Sequence, residues 1–390
     1  MRKLRRFAGI LFATVLVMST FTACGNDGGG AAGGGDVWRI GGIGPTTGGA
    51  AIFGIAVSNG AQLAVEEINA AGGINGYQIE LNFQDDQHDA ERSVNAYNTL
   101  KDWGMQILLG PVTSTPAIAV VEEAYKDGMF MLTPSATAIA AIARPNAFRV
   151  CFSDPNQGKA SAEYMAKYLG VTQVAVIYDS SDAYSSGIFE TFAAKAPELG
   201  INIVAAEAFT ESSNTDFSVQ LQNARNAGAE LLFLPFYYQE AALVLQQLAA
   251  MEWSPLIFSC DGMDGILDVE GFDPALAEGV MFLAPFAATA TDDVTVAFVN
   301  AFQERFNEIP NQFAANSYDA IHIIKAAIEH ANLTPSMSVS EIGDGMIQAM
   351  LEITMDGVTF KQGTWTADGE PDKEPMVVQI RGGVYYVLSN

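Results

Sequence analysis

Apolar runs of strand length alternate with amphipathic, helix-length spacers twice along this chain, and that alternation leaves few folds open. Strands are expected at 37–43, 78–83, 107–109 and 129–132, separated by helical patterns at 53–71, 89–103 and 115–127. In the first helix Val57, Ala61, Ala64, Val65 and Ile68 share one face, and Asn59, Gln62, Glu66 and Asn69 another. That is the period of a half-buried helix, and Gly72-Gly73 stop it. Strands joined through helices need right-handed crossovers, which build a parallel sheet covered on both faces. A strand at 148–152 leads to a second series, with helices at 156–169, 184–199, 216–227 and 238–251 among strands at 173–178, 202–208, 231–236, 256–259 and 280–283. Helices at 294–306, 313–331 and 340–350 follow, and 376–380 with 384–388 around Gly382-Gly383 read as a hairpin. The fold class is α/β, with two doubly wound parallel-sheet lobes, which suits a chain of 390 residues.

Two polar turns mark where such a fold would act. Gly110-Pro111-Val112-Thr113-Ser114-Thr115 and Thr133-Pro134-Ser135-Ala136-Thr137 each follow a strand and precede a stretch able to start a helix. Ligands of open parallel sheets sit at those carboxyl ends, where hydroxyls and free backbone N–H groups suit a small carboxylate. The same residues also serve as ordinary helix caps, and the sequence leaves both roles open. In the second series Tyr184, Tyr237 and Tyr238 fall at strand ends, and Phe53 lies at the matching rim of the first. Any one of these aromatics could simply pack a core. With Asp261, just past the strand that ends near Cys260, they outline a cleft with apolar walls and one anion. A buried carboxylate needs a cationic or hydrogen-bonding partner, and a ligand's ammonium group would supply one.

Other chemistries lack their residues. A net charge of -26 argues against nucleic acid as a partner. Gly42-Ile43-Gly44 has part of a dinucleotide-binding loop, with Asp85 or Asp86 where a ribose acid would stand, but Pro45 has no N–H and the third glycine is misplaced. His88, His322 and His330 show no ligand pairing, and no Gly-x-Ser-x-Gly elbow is present. An enzyme is not expected, nor a cofactor or metal.

The amino terminus sets the compartment. Arg2, Lys3, Arg5 and Arg6 precede an apolar stretch at 7–21, the pattern of an export signal and shorter than a spanning helix needs. Phe21-Thr22-Ala23-Cys24 resembles a bacterial lipobox, in which Cys24 is lipidated and becomes the first residue. A signal at 1–23 and a glycine-rich tether at 24–36 would hang the folded body near a membrane. Cys151 and Cys260 remain, and an exported protein permits but does not require a bridge between them.

The segment Glu67-Ile68-Asn69-Ala70-Ala71-Gly72-Gly73-Ile74-Asn75-Gly76, followed by Asp85-Asp86, the two polar turns and Asp216-Phe217-Ser218, resembles the substrate-binding proteins of branched-chain amino acid ABC importers, of the type I periplasmic binding fold. The resemblance covers nearly the whole chain past the signal. It implies three crossings near Phe152, Pro285 and Lys373, with 37–152 plus 286–373 as lobe 1 and 153–285 plus 374–390 as lobe 2. It implies that the ligand carboxylate meets Ser114 and Thr137, and the ammonium meets the Ser135 carbonyl, the Thr137 hydroxyl and Asp261. Aromatic contacts would come from Phe53, Tyr184 and Tyr237, and Thr115 and Ala136 complete the expected ligand-binding set. Asp261 stands where a Glu is usual, Phe53 where a Tyr or Trp is common, and His88 and Thr113 occupy the places of a loop disulfide found in some members. The function implied is that of a monomeric, lipid-anchored solute-binding protein on the extracytoplasmic face, periplasmic where the host has an outer membrane. It would close its lobes on an apolar amino acid and deliver it to ABC permease subunits. The alternatives are an amide, a urea-like or aromatic acid solute, or a sensor for a signalling partner.

Overall fold

The computed structural model describes residues 37–388. The expected signal, the Cys24 lipidation site and the tether lie outside the described residues.

The first sheet begins with β1 (Val37–Gly44), α1 (Ala51–Ala70), β2 (Gln78–Asp85), α2 (Ala90–Trp103), β3 (Ile107–Leu109), α3 (Ser114–Lys126), β4 (Phe130–Thr133) and β5 (Ala147–Arg149). Its order is β2-β1-β3-β4-β5, parallel throughout. The chain then passes into a second unit, α4 (Asp154–Tyr164), β6 (Gln173–Asp179), α5 (Ala183–Lys195), β7 (Asn202–Phe209), α6 (Ser218–Asn226), β8 (Leu231–Leu234), α7 (Tyr238–Ala250), β9 (Leu256–Ser259) and β10 (Met281–Ala284). Helices α8 (Asp293–Phe306), α9 (Gln312–His330) and α10 (Val339–Met350) return to the first sheet before β11 (Met376–Arg381) and β12 (Val384–Val387) close the second as an antiparallel hairpin. The second sheet runs β12-β11-β10-β9-β8-β6-β7.

The central strands of both sheets are apolar on both faces because both faces are covered. Ile40, Ile107, Leu109, Phe130 and Leu132 face α1, α9 and α10, where Ile68, Ile321, Ile324 and Met346 meet them. Ile43, Leu108 and Met131 face α2 and α3. Alternation is plain in β6, where Val174 and Val176 pack with Phe192 of α5 while Ala175 and Ile177 pack with Leu221 and Leu245 of α6 and α7. Emptying one of these positions, as Phe192→Ala would, costs about 3–5 kcal/mol.

Where element ends differ from the expected ones, local chemistry accounts for it. The helix expected at 184–199 stops being α-helical at Lys195 and finishes as a 3-10 turn, since Pro197 has no N–H to give. The helix expected at 216–227 starts at Ser218 because the Asp216 carboxylate takes the Ser218 N–H at 3.0 Å. The strand expected at 148–152 leaves the sheet after Arg149, where the chain turns toward the second unit.

Candidate ligand-binding site

Strand order reverses around β1, between β2 and β3, and around β6, between β7 and β8. Loops leaving the carboxyl ends of such neighbours diverge and open a crevice. Phe53 rides the first turn of α1 past β1, Ser114 opens α3 past β3, Tyr184 lies in the first turn of α5 past β6, and Tyr237 precedes α7 past β8. Together with Ser135 and Asp261, these residues line one cavity, completed by Val112, Thr113, Gly262 and Phe313. Its volume, about 10 Å³, holds about one water, so the rims are closed on each other and a larger solute enters only when they part.

On the first-lobe side the hydroxyls tie the two polar turns together. Ser114 Oγ accepts the Ala138 N–H at 3.1 Å, Ser135 Oγ donates to the Val112 carbonyl at 2.7 Å, and Thr133 Oγ1 donates to the Pro111 carbonyl at 2.7 Å. None of them caps α3, which opens without a side-chain cap and keeps its first N–H groups available to an anion. Gly110 permits the sharp exit from β3, because at φ 109° a Cβ would stand 2.5 Å from the Ile43 carbonyl oxygen. Three expected site residues stand off the cavity wall. Thr115 Oγ1 donates to Asp182 Oδ1 at 3.0 Å, Ala136 gives its carbonyl to Arg149, and Thr137 is buried with its hydroxyl unpartnered among the described residues.

On the second-lobe side Asp261 is only 3% exposed. Tyr184 donates its hydroxyl to Asp261 Oδ1 at 2.8 Å and accepts the Gly262 N–H at 2.8 Å. Gln157 Oε1 takes the Asp261 N–H at 3.0 Å, and Gln312 Nε2, from the first lobe, donates to the Asp261 carbonyl at 3.1 Å. Burial pushes the Asp261 carboxyl up to about 6, against the opposing pull of Tyr184 and Gln157. The Tyr184 and Tyr237 rings stack with centroids 4.9 Å apart, and Phe53 meets Tyr237 edge-on at 5.2 Å and Phe313 at 4.2 Å. A Cβ on Gly262 would lie 2.8 Å from the Tyr184 hydroxyl and 2.9 Å from the Tyr237 ring, so only glycine fits.

Sequence reasoning missed several supports. Arg149, fully buried, donates Nη1 to the Ala136 carbonyl at 3.0 Å and Nη2 to the Ala138 carbonyl at 2.9 Å, which fixes the second polar turn. Its signal was a lone arginine inside an apolar run. Asp154 is buried with neither carboxylate oxygen partnered among the described residues, and desolvation raises its carboxyl well above the usual range against the nearby Thr137 hydroxyl and Arg149 charge. In sequence it looks like an ordinary helix start before Pro155. Phe313 and Gly262 carried no signal. Asp85, weighed for a ribose, instead takes the Thr46 and Thr47 N–H groups and the Thr47 hydroxyl, which braces the turn after β1. Cys151 and Cys260 are separate buried thiols.

Among the described residues no group of three or more His, Cys, Asp or Glu is placed to hold a metal, and no Lys, Arg or His lines the cavity. The wall therefore offers hydroxyls and N–H groups on one side, a lone buried carboxylate on the other, and aromatic faces between.

The family model for periplasmic binding proteins matches residues 37–384. A Leu/Ile/Val-binding protein homolog of Brucella melitensis is 34% identical over 298 residues, 76% of this chain and 79% of its own length. The isoleucine complex of the branched-chain amino acid transporter substrate-binding protein LivJ from Streptococcus pneumoniae superposes with a TM-score of 0.82 at 28% identity, covering 91% of this chain and all of that one. A solute-binding protein of an ABC transporter from R. palustris, in complex with benzoate, shares the fold at TM-score 0.81 with 19% identity, over 90% of this chain and 96% of that one. These relatives are solute-binding proteins, not enzymes, of a family that works outside the cytoplasm, and the chain belongs to the periplasmic binding protein family.

Proposed function

We propose that this protein captures a zwitterionic, apolar amino acid between its lobes and hands it to the membrane subunits of an ABC importer. One observation carries the reading. The cavity has hydrogen-bond donors for a carboxylate on the first lobe, a buried carboxylate on the second, and no basic side chain among its lining residues. A bare anion would leave Asp261 unpaired and a bare cation would leave the donors of α3 unused, whereas a zwitterion answers both. The ligand's carboxylate then lies against Ser114 and the start of α3, its ammonium against Asp261 and the Ser135 carbonyl, and its side chain against Phe53, Tyr184 and Tyr237. Arg149 holds the Ala136 carbonyl behind that wall, and the Asp154 backbone N–H holds the Thr137 carbonyl at 3.0 Å.

The lobes take 37–152 with 286–373, and 153–285 with 374–390, hinged near Phe152, Pro285 and Lys373. Support for that hinge comes from Lys373, whose Nζ donates to the Val150 carbonyl at 3.0 Å, Asn316 Oδ1 at 2.9 Å and Thr359 Oγ1 at 2.7 Å, joining two crossings to α9. Closure desolvates the charged ends of the ligand and strengthens their hydrogen bonds. The protein acts as a monomer without catalysis, anchored through lipid on Cys24. A benzoate-bound neighbour and four aromatic side chains in the wall favour an aromatic acid as the second reading. Titration calorimetry with leucine, isoleucine, valine and benzoate separates the two. Saturable heat with an amino acid supports the first, and heat with benzoate alone replaces it.

A further inference from the structure

One side chain of the first lobe crosses to the second without touching the ligand cavity. Gln87 and His88 both take left-handed backbone angles, φ 53° and 61°, which non-glycine residues hold only under strain. The turn is pinned from below. Asp85 Oδ1 accepts the Gln87 N–H at 3.1 Å, Asp86 Oδ1 accepts the His88 N–H at 3.0 Å, and Arg92 donates to the Gln87 side chain. That strained turn aims the imidazole over the cleft. His88 Nδ1 lies 2.8 Å from Thr113 Oγ1. The opposite edge of the ring faces the second lobe. Nε2 stands 3.9 Å from Asp182 Oδ1 on the second lobe, and the ring meets Tyr237 edge-on at 5.5 Å.

Asp182 is the natural receiver. It is 9% exposed and lies just before α5, where its Oδ2 accepts the Ser185 N–H at 3.4 Å. Its other oxygen takes the Thr115 hydroxyl at 3.0 Å, so both first-lobe partners converge on one atom. Burial raises this carboxyl while His88 and Thr115 pull it back. Parting the lobes would strip Asp182 of both partners at once.

We propose that His88, with Thr115, latches the closed lobes through Asp182, and so sets how long a ligand is held and not which ligand is chosen. None of the three residues lines the cavity, so each is a positioning residue acting through closure. The inference rests on ligand capture by lobe closure. Stopped-flow release of leucine, isoleucine and valine from the full chain tests it, using His88→Ala, Asp182→Asn and the double variant His88→Ala/Asp182→Asn. Asparagine still caps α5, so Asp182→Asn keeps the fold while losing the charge. Each single change is expected to speed release about 3- to 10-fold, by the same factor for each ligand and with association unchanged, and the double variant is expected to release no faster than Asp182→Asn. Unchanged release, ligand-dependent factors or additive effects overturn the latch. If the wild type binds none of these amino acids, the ligand reading fails and small-angle scattering judges the latch. His88→Ala and Asp182→Asn more expanded than wild type support it, and identical profiles refute it.

Discussion

Replacing Asp261 by Asn removes one charge and almost nothing else. The side chain keeps its size, and Tyr184 can still donate to the remaining oxygen, now 2.8 Å away from its hydroxyl. The carboxyl's rise from 3.8 to about 6 corresponds to about 3 kcal/mol of disfavoured charge. A ligand ammonium that pairs with Asp261 recovers up to that amount, within the range of about 2–5 kcal/mol lost when a buried charge loses its partner. The expected loss is therefore about 100-fold in Kd. The amide also presents N–H groups toward the ammonium, which adds to the loss. Without ligand the same substitution relieves an unpaired buried charge, so the melting temperature should hold or rise. Calorimetric titration at pH 7.5 and scanning calorimetry read the two effects. An affinity within threefold of wild type, or a melting temperature several degrees lower, would refute the reasoning.

Other consequences follow from the same geometry. Gly262→Ala drives a methyl group into the Tyr184 hydroxyl and the Tyr237 ring, at 2.8 and 2.9 Å, so binding should fall at least about tenfold with a loss of about 1–3 kcal/mol in stability, read by titration and urea unfolding. Burial lifts Asp86 to about 6, Asp261 to about 6 and Asp264 to about 7. Acids with raised folded pKa values lend stability that is complete below about 4 and lost as pH rises through 6 to 7, so thermal stability without ligand should rise between pH 7 and pH 5. Affinity should move the opposite way, falling about tenfold for each pH unit below 6 as Asp261 takes a proton; a flat affinity profile counts against its role. Lys373, pushed down to about 8 by burial against the pull of Asp319, binds fewer protons folded than unfolded between pH 8 and 10.5, so its contribution to stability grows across that window. Lys373→Met should flatten the slope of urea-derived stability there and weaken the fold near pH 10, where its three hydrogen-bond acceptors are left alone.

The alternation of elements was legible because the central strands of both sheets are buried on both faces and read as apolar runs, while the helices between them read as amphipathic. Boundaries slipped where a single residue overrode the pattern, as Pro197 did in ending α5 and Asp216 in delaying α6. Of the site, the residues that touch the cavity were largely legible from their positions at strand ends: Ser114, Ser135, Tyr184, Tyr237, Phe53 and Asp261 meet in one place. Thr115 was legible as a rim residue but not as a partner of Asp182, because that contact joins segments 67 residues apart across the cleft. Arg149 escaped for a similar reason. An arginine in an apolar run announces burial, but only the folded chain reveals that it grips two carbonyls of the turn beside it. Phe313 opens a helix more than 250 residues from Phe53, and nothing in its own neighbourhood ties the two rings together.

The most direct test of the whole account is a crystal structure of the chain grown with leucine. The guest should lie with its carboxylate on Ser114 and the first N–H groups of α3 and its ammonium within about 3 Å of Asp261. A guest bound in the reverse sense, or an Asp261 side chain that points away from it into solvent, would contradict the account.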